Sequence, residues 1–214
     1  MPQYFVIYKP FGILSQFSGE DHTLKQVADF PKEVYPVGRL DKDSEGLLLI
    51  TDDKPLNHYL LNPAFGHERT YLAQVEGIPD SRALVQLSSG VEITVDGKSY
   101  QTKKAKAEMV PQVQLPDRDP PIRYRKNVPD SWVKLTLIEG KNRQVRKMTA
   151  AVGFPTLRLV RWSMGRLTIE GFMTGEVREF TQEEIYRLLN INPKNLKGDV
   201  PFSQKAHNRN KNRR

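Results

Sequence analysis

VEITVDGKSYQT, residues 91–102, is two segments of alternating apolar and polar residues that meet at Asp96-Gly97. A two-residue turn of that composition takes positive φ at both central positions and folds the chain back on itself as a tight hairpin. The stretch therefore predicts antiparallel pairing, and the segments around it extend the pattern. QYFVIY (3–8), LLLIT (47–51), ERTYLAQVEG (68–77), WVKLTLIE (132–139) and the stretches 157–163 and 166–169 read as strands. LLLIT is apolar throughout, as in a strand covered on both faces, whereas ERTYLAQVEG turns Tyr71, Ala73 and Val75 to one side. Helices are expected from about Thr23 to Pro31, from an Asp80 cap to about Leu87, and over NRQVRKMTAAVG (142–153), where Arg143 and Lys147 lie one turn apart on the outer side. A final helix follows the capping box opened by Thr181. The mixture predicts an α+β protein with an extended, mostly antiparallel mixed sheet flanked by helices.

With 214 residues the chain is long enough for one large domain or for two lobes sharing a cleft. Cysteine is absent, which excludes disulfides, thiolate chemistry and cysteine zinc sites and suits a reducing compartment. Four scattered histidines (His22, His58, His67, His207) offer little to a metal ion, so no metal is expected. No apolar run reaches signal or membrane-spanning length, which predicts a cytoplasmic protein without a membrane partner. A formal net charge of +8 points instead to a polyanion, because Lys and Arg attract phosphates and release their counterions. The last twelve residues carry five basic groups and no acid, so residues 191–214 are expected to be a disordered, phosphate-seeking tail beyond a folded domain at 1–190. A proline-rich connection over 110–130 carries Arg118, Arg123, Arg125 and Lys126.

Against this basic background, VGRLDKDSEGLLLITDD (37–53) gathers five carboxylates: Asp41, Asp43, Glu45, Asp52 and Asp53. From Asp41 to Asp52 the spacing imitates a calcium loop, but its twelfth place is Asp rather than a bidentate Glu, and Pro36-Val37-Gly38 cannot supply an entering helix. Asp43, Glu45, Asp52 and Asp53 read as turn punctuation around a strand. Asp41 differs. It lies between Val37 and Leu40 on one side and a strand on the other, two residues after Arg39, so it is the acid expected to be partly buried with a cationic partner. Such a carboxylate serves either as a nucleophile or base, or as a plain ion pair.

GRLDKDSEGLLLIT (38–51) resembles the signature around the catalytic aspartate of the bacterial ribosomal RNA pseudouridine synthases. YFVIYKPFGILS (4–15) resembles that family's opening strand and turn, ERTYLAQVEG its strand tyrosine, EGKNRQVRKM (139–148) its basic motif, and LRLVRWSMGRL (157–167) its closing motif. PPIRYRKNVPDSW (120–132) and GFPTLRLVRWSMG (153–165) resemble the subgroup acting on 23S ribosomal RNA, and the S4-type RNA-binding domain of most relatives is not expected here. The resemblance implies the pseudouridine synthase fold, two lobes around a central cleft, and a cofactor-free monomer that isomerises a uridine of 23S ribosomal RNA. It implies Asp41 as the essential carboxylate, Tyr71 against the uracil face, Arg146 as partner of Asp41 with Arg143 competing, Leu159 lining the base pocket and Arg39 filling the place of the flipped base. Arg123, Arg125, Lys126, Arg143, Lys147 and Arg161 are expected to grip the RNA backbone. Two other readings stay open: a non-catalytic RNA-binding or ribosome-assembly protein on the same fold, and an enzyme of small-subunit RNA.

Overall fold

The computed structural model describes residues 1–122 and 128–196. Among them are eleven strands: β1 (Tyr4–Lys9), β2 (Tyr35–Pro36), β3 (Glu45–Thr51), β4 (Arg69–Glu76), β5 (Glu92–Val95), β6 (Lys98–Gln101), β7 (Lys106–Val110), β8 (Asp130–Leu137), β9 (Thr156–Met164), β10 (Leu167–Thr168) and β11 (Val177–Phe180). Four helices accompany them: α1 (Lys54–Leu61), α2 (Ser81–Ser89), α3 (Gln144–Ala151) and α4 (Gln182–Leu188). Nine strands form one sheet whose main path runs β11-β1-β3-β9-β4-β8-β7, with β2 on β3 and β10 on β9. Its pairings are antiparallel except for β3 with β9. The sheet is thus mixed and mostly antiparallel, as the patterning predicts.

The hairpin that signals antiparallel pairing is real, with Asp96 at φ 50° and Gly97 at φ 75°, yet it stands apart as the two-stranded sheet β5-β6. Two elements differ from expectation. The segment after Thr23 makes only a short 3-10 turn, Leu24–Gln26, and Thr23 provides no side-chain cap. A helix that periodicity did not reveal, α1, follows β3 directly. Asp53 caps it by accepting from the Leu56 amide at 3.0 Å, and the same carboxylate accepts the hydroxyls of Tyr4 and Tyr186, both at 2.6 Å. Asp53 is therefore a buried structural acid that ties β1, α1 and α4 together rather than a turn residue at the surface.

Apolar side chains pack on both faces of the sheet. One core gathers Val6, Leu47, Leu49, Val160 and Ile185, and another gathers Ala73, Val75, Leu135, Val145, Met148 and Leu159. All seven residues of β3 are buried, which accounts for the unbroken LLLIT run. β3 and β9 meet at Gly46, opposite Arg161. A Cβ at Gly46 would collide with the Arg161 backbone carbonyl and amide, so only glycine permits the parallel contact. That contact brings the loop before β3 against the middle of β9.

Candidate active site

The loop 38–44 enters β3 through a turn in which the Ser44 amide donates to the Asp41 carbonyl at 3.0 Å. It is gripped from behind by the segment after β1. The Gly12 amide donates to Lys42 O at 2.8 Å, and the buried Ser15 hydroxyl donates to Leu40 O at 2.9 Å while accepting from Leu40 N at 3.0 Å. Ser15 thus satisfies both backbone groups of the residue before Asp41. Ser15→Ala would leave a buried amide and carbonyl unpaired, for which ~1–3 kcal/mol is expected. A lowered urea midpoint together with a reduced turnover is the outcome to measure.

Lys9, fully buried, ends β1 beneath this loop and donates to Pro10 O and Ile13 O at 2.8 and 2.6 Å. Burial pushes its ammonium down to about 7, against the pull of Glu45, Asp43 and Asp41 and with a smaller push from Arg161. Between that value and the ordinary 10.5, the unfolded chain keeps a proton that the folded one has lost. Stability should therefore rise with pH across this window. Urea titrations from pH 7 to 9 should show the rise in the wild type and a flatter profile in Lys9→Met.

In front of the loop lies a cleft of about 480 Å³. Asp41, Tyr71, Arg39, Leu159, Arg143 and Arg161 all line it. Tyr71 and Arg161 are direct partners across β4 and β9, so their side chains share a face. They meet because the register shifts between Thr70, opposite Ser163, and Tyr71, opposite Arg161. Trp162 is the extra residue of this bulge, which re-aims the strand at the cleft. Leu159, two residues along β9, adds an apolar wall and is 5% exposed.

Asp41 is neither the most buried acid nor the partner of Arg146. Its side chain is 36% exposed, and the cation in reach is Arg143, with Nη1 at 3.6 Å from Oδ2. Arg146 instead donates Nη2 to the Asp43 carbonyl at 2.6 Å and lies 3.4 Å from its carboxylate. The reason is local. Arg143 is not on the helix face that a 3.6-residue period assigns to it; it precedes α3 in a left-handed conformation, φ 51° and ψ 33°, which swings its guanidinium onto the Asp41–Asp43 loop. It makes a two-pronged bond to Asp43 at 2.9 and 2.8 Å. That bond holds the Asp43 carboxyl below the usual range, with burial opposing and Arg146 assisting, and raises Arg143 in turn. Asp43 thus absorbs both arginines, and Asp41 is left without a close hydrogen bond from either.

The remaining expected contacts divide. Arg39 is exposed at the cleft rim with no ion pair among the described residues. Lys147 is half-buried and outside the cleft lining. Arg161, 3% exposed, is no surface grip: its Nε donates to Leu47 O at 2.7 Å beneath the cleft. Arg123, Arg125, Lys126 and the tail 197–214 lie outside the described residues. Two lining residues escaped the sequence reading. Arg69 donates to Leu60 O at 2.7 Å and braces the last turn of α1. Glu139, 5% exposed, accepts from the Tyr100 hydroxyl, the Lys103 amide and Gln144 Nε2 at 2.6–2.9 Å. Gln144 also accepts from the Lys141 amide at 2.9 Å, so this network fixes the turn that carries Arg143. The only sequence signal for Glu139 was an acid within an otherwise basic motif.

The cleft is thus nucleotide-sized, with a carboxylate at its edge, a flat aromatic and a leucine on its walls, and Arg39, Arg69, Lys141, Arg143 and Arg161 against Asp41 and Glu139. Such a site suits a nucleobase attached to an anionic backbone. Comparison with known proteins agrees: residues 3–151 match the family model for RNA pseudouridylate synthase. The chain belongs to this family. Among pseudouridine synthases, the ribosomal large subunit pseudouridine synthase E of Xanthomonas campestris pv. campestris is 47% identical over 176 residues, spanning 81% of this chain and 92% of that protein. The pseudouridine synthase of the same name from Xanthomonas axonopodis pv. citri is 51% identical over 164 residues, spanning 75% and 84%. A crystal structure of pseudouridylate synthase superposes with a TM-score of 0.71 at 32% identity, covering 88% of this chain and 74% of that one. The fold is that of the pseudouridine synthases. Among the described residues, no helix is long and apolar enough to cross a membrane.

Proposed function

We propose that the protein isomerises one uridine of 23S ribosomal RNA to pseudouridine, with Asp41 as the acting carboxylate. The observation that carries this reading is the convergence of Asp41, Tyr71 and Leu159 on one cleft, in a chain about half identical to relatives named for the large ribosomal subunit. The target nucleotide leaves its stack at a cost of a few kcal/mol, and exposed Arg39 at the rim is placed to fill the gap. Tyr71 lies against the base and holds it through its rotation. Arg143 and Arg146 fix the Asp41–Asp43 loop; Ile191, 6% exposed, and the 3-10 turn Pro193–Leu196 belong to the folded core, so only the basic residues beyond Leu196 add phosphate contacts. The enzyme works as a cytoplasmic monomer without a cofactor.

The test is a map of pseudouridines in ribosomal RNA from cells with and without the gene, repeated with purified protein on the RNA from deficient cells. Loss and restoration of one site in 23S RNA is the expected result. A site lost from the small-subunit RNA instead assigns that substrate, and an unchanged map in both subunits leaves a binding protein.

A further inference from the structure

Arg161 holds a position that the grip on RNA does not explain. It is 3% exposed, lines the cleft floor beside Tyr71, and among the described residues forms no ion pair with any carboxylate. Its Nε donates to Leu47 O and the neutral Tyr71 side chain is its other polar neighbour, while Nη2 is sealed from solvent without a hydrogen-bond partner. The neighbouring buried arginine on the same strand shows the ordinary solution: Arg158 meets Glu45 with two bonds at 2.9 and 2.8 Å. An uncompensated buried guanidinium costs several kcal/mol. It is tolerable where a negative charge arrives during function, and it then acts without water to screen it.

We propose that Arg161 is the electrostatic stabiliser of the negative charge that develops on the uracil ring during isomerisation. The inference rests on the uridine-isomerising reading of the cleft. When the C1′–N1 bond breaks, its electron pair leaves with the base, which becomes a uracil anion with charge shared among N1, O2 and O4. If Asp41 adds to C6 first, the displaced pair again collects on C5 and O4. Either route loads the ring carbonyls with charge while the base lies between Tyr71 and Leu159, over the Arg161 guanidinium. The C1′–C5 bond then forms, the C5 proton passes to water, and N1 takes up a proton, so the reaction is balanced without oxidant or reductant. By either route Asp41 starts the exchange, and Arg161 holds the charge that it displaces onto the ring.

The test uses the full chain and large-subunit ribosomal RNA carrying uridine tritiated at C5, which releases tritium to water as pseudouridine forms. Arg161→Met removes the charge and keeps the bulk; Arg161→Lys keeps the charge. The Met variant is expected to bind RNA within threefold of wild type, to melt close to wild type because the lost bond to Leu47 O is offset by removal of a buried charge, and to lose about 100-fold in single-turnover rate. The Lys variant is expected within about tenfold of wild type. A Met variant that reacts within threefold of wild type overturns the proposal. So does equal loss in Met and Lys variants accompanied by a lower melting temperature, which marks a packing role. A wild-type protein that releases no tritium overturns the uridine-isomerising reading itself, a result distinct from either.

Discussion

Asp41→Asn is expected to lower pseudouridine formation by at least about 10³-fold while leaving RNA affinity within severalfold. The amide keeps the size and polarity of the carboxylate but cannot add to carbon or hold a full negative charge beside the sugar. Because Asp41 makes no short side-chain hydrogen bond in the folded protein and sits at the cleft edge, the substitution weakens only the 3.6 Å approach of the half-exposed Arg143. Melting temperature should therefore change little, since so exposed a pair contributes little to stability, which separates a chemical defect from a folding one. The neighbouring Asp43→Asn provides the contrast. It weakens the bonds that position Arg143 and Arg146, and should cost both stability and turnover to a lesser degree. Full activity in Asp41→Asn would remove this residue from the mechanism.

The largest loss of stability is expected from Glu45→Gln. Glu45 and Arg158 are 1% and 8% exposed in their side chains, joined at 2.8 Å, and Arg158 reaches on to Pro116 O at 2.8 Å. Removing the negative partner leaves a guanidinium buried between β1, β3 and β9 with no compensating charge, at about 3–5 kcal/mol. Replacing both residues together with apolar ones of similar volume should cost much less, because the dominant penalty is the orphaned charge. Urea unfolding of the single and double variants measures the difference. Equal losses would mean that packing, rather than charge, dominates at this pair.

How far the sequence displays this site depends on the range of each contact. Local signals carried through: the Asp96-Gly97 turn, the Asp80 and Thr181 caps, and the apolar run of β3 are set by neighbours in the chain. Asp41, Tyr71 and Leu159 could be named from motifs because each motif is short, and the fold brings the three to one cleft. Glu45 was misread as turn punctuation because its partner lies 113 residues away and nothing local distinguishes a solvated acid from a paired one. The resemblance paired Arg146 with Asp41 and left Arg143 as the competitor; the left-handed conformation of Arg143 at the helix entrance, which no sequence spacing reveals, brings its guanidinium to both acids. The approach of Arg161 to Tyr71 hangs on a one-residue bulge that leaves no mark in composition.

Gly46 also fixes how near the two banks of the cleft can stand. Where a methyl group would not fit, the bank that bears Asp41 and the bank that bears Leu159 and Arg161 are joined backbone to backbone, and the Glu45–Arg158 pair and the Arg161–Leu47 O bond close the same seam. A larger residue there would wedge the banks apart and carry the acid away from the receiving floor, so the spacing of the site is written into one missing side chain.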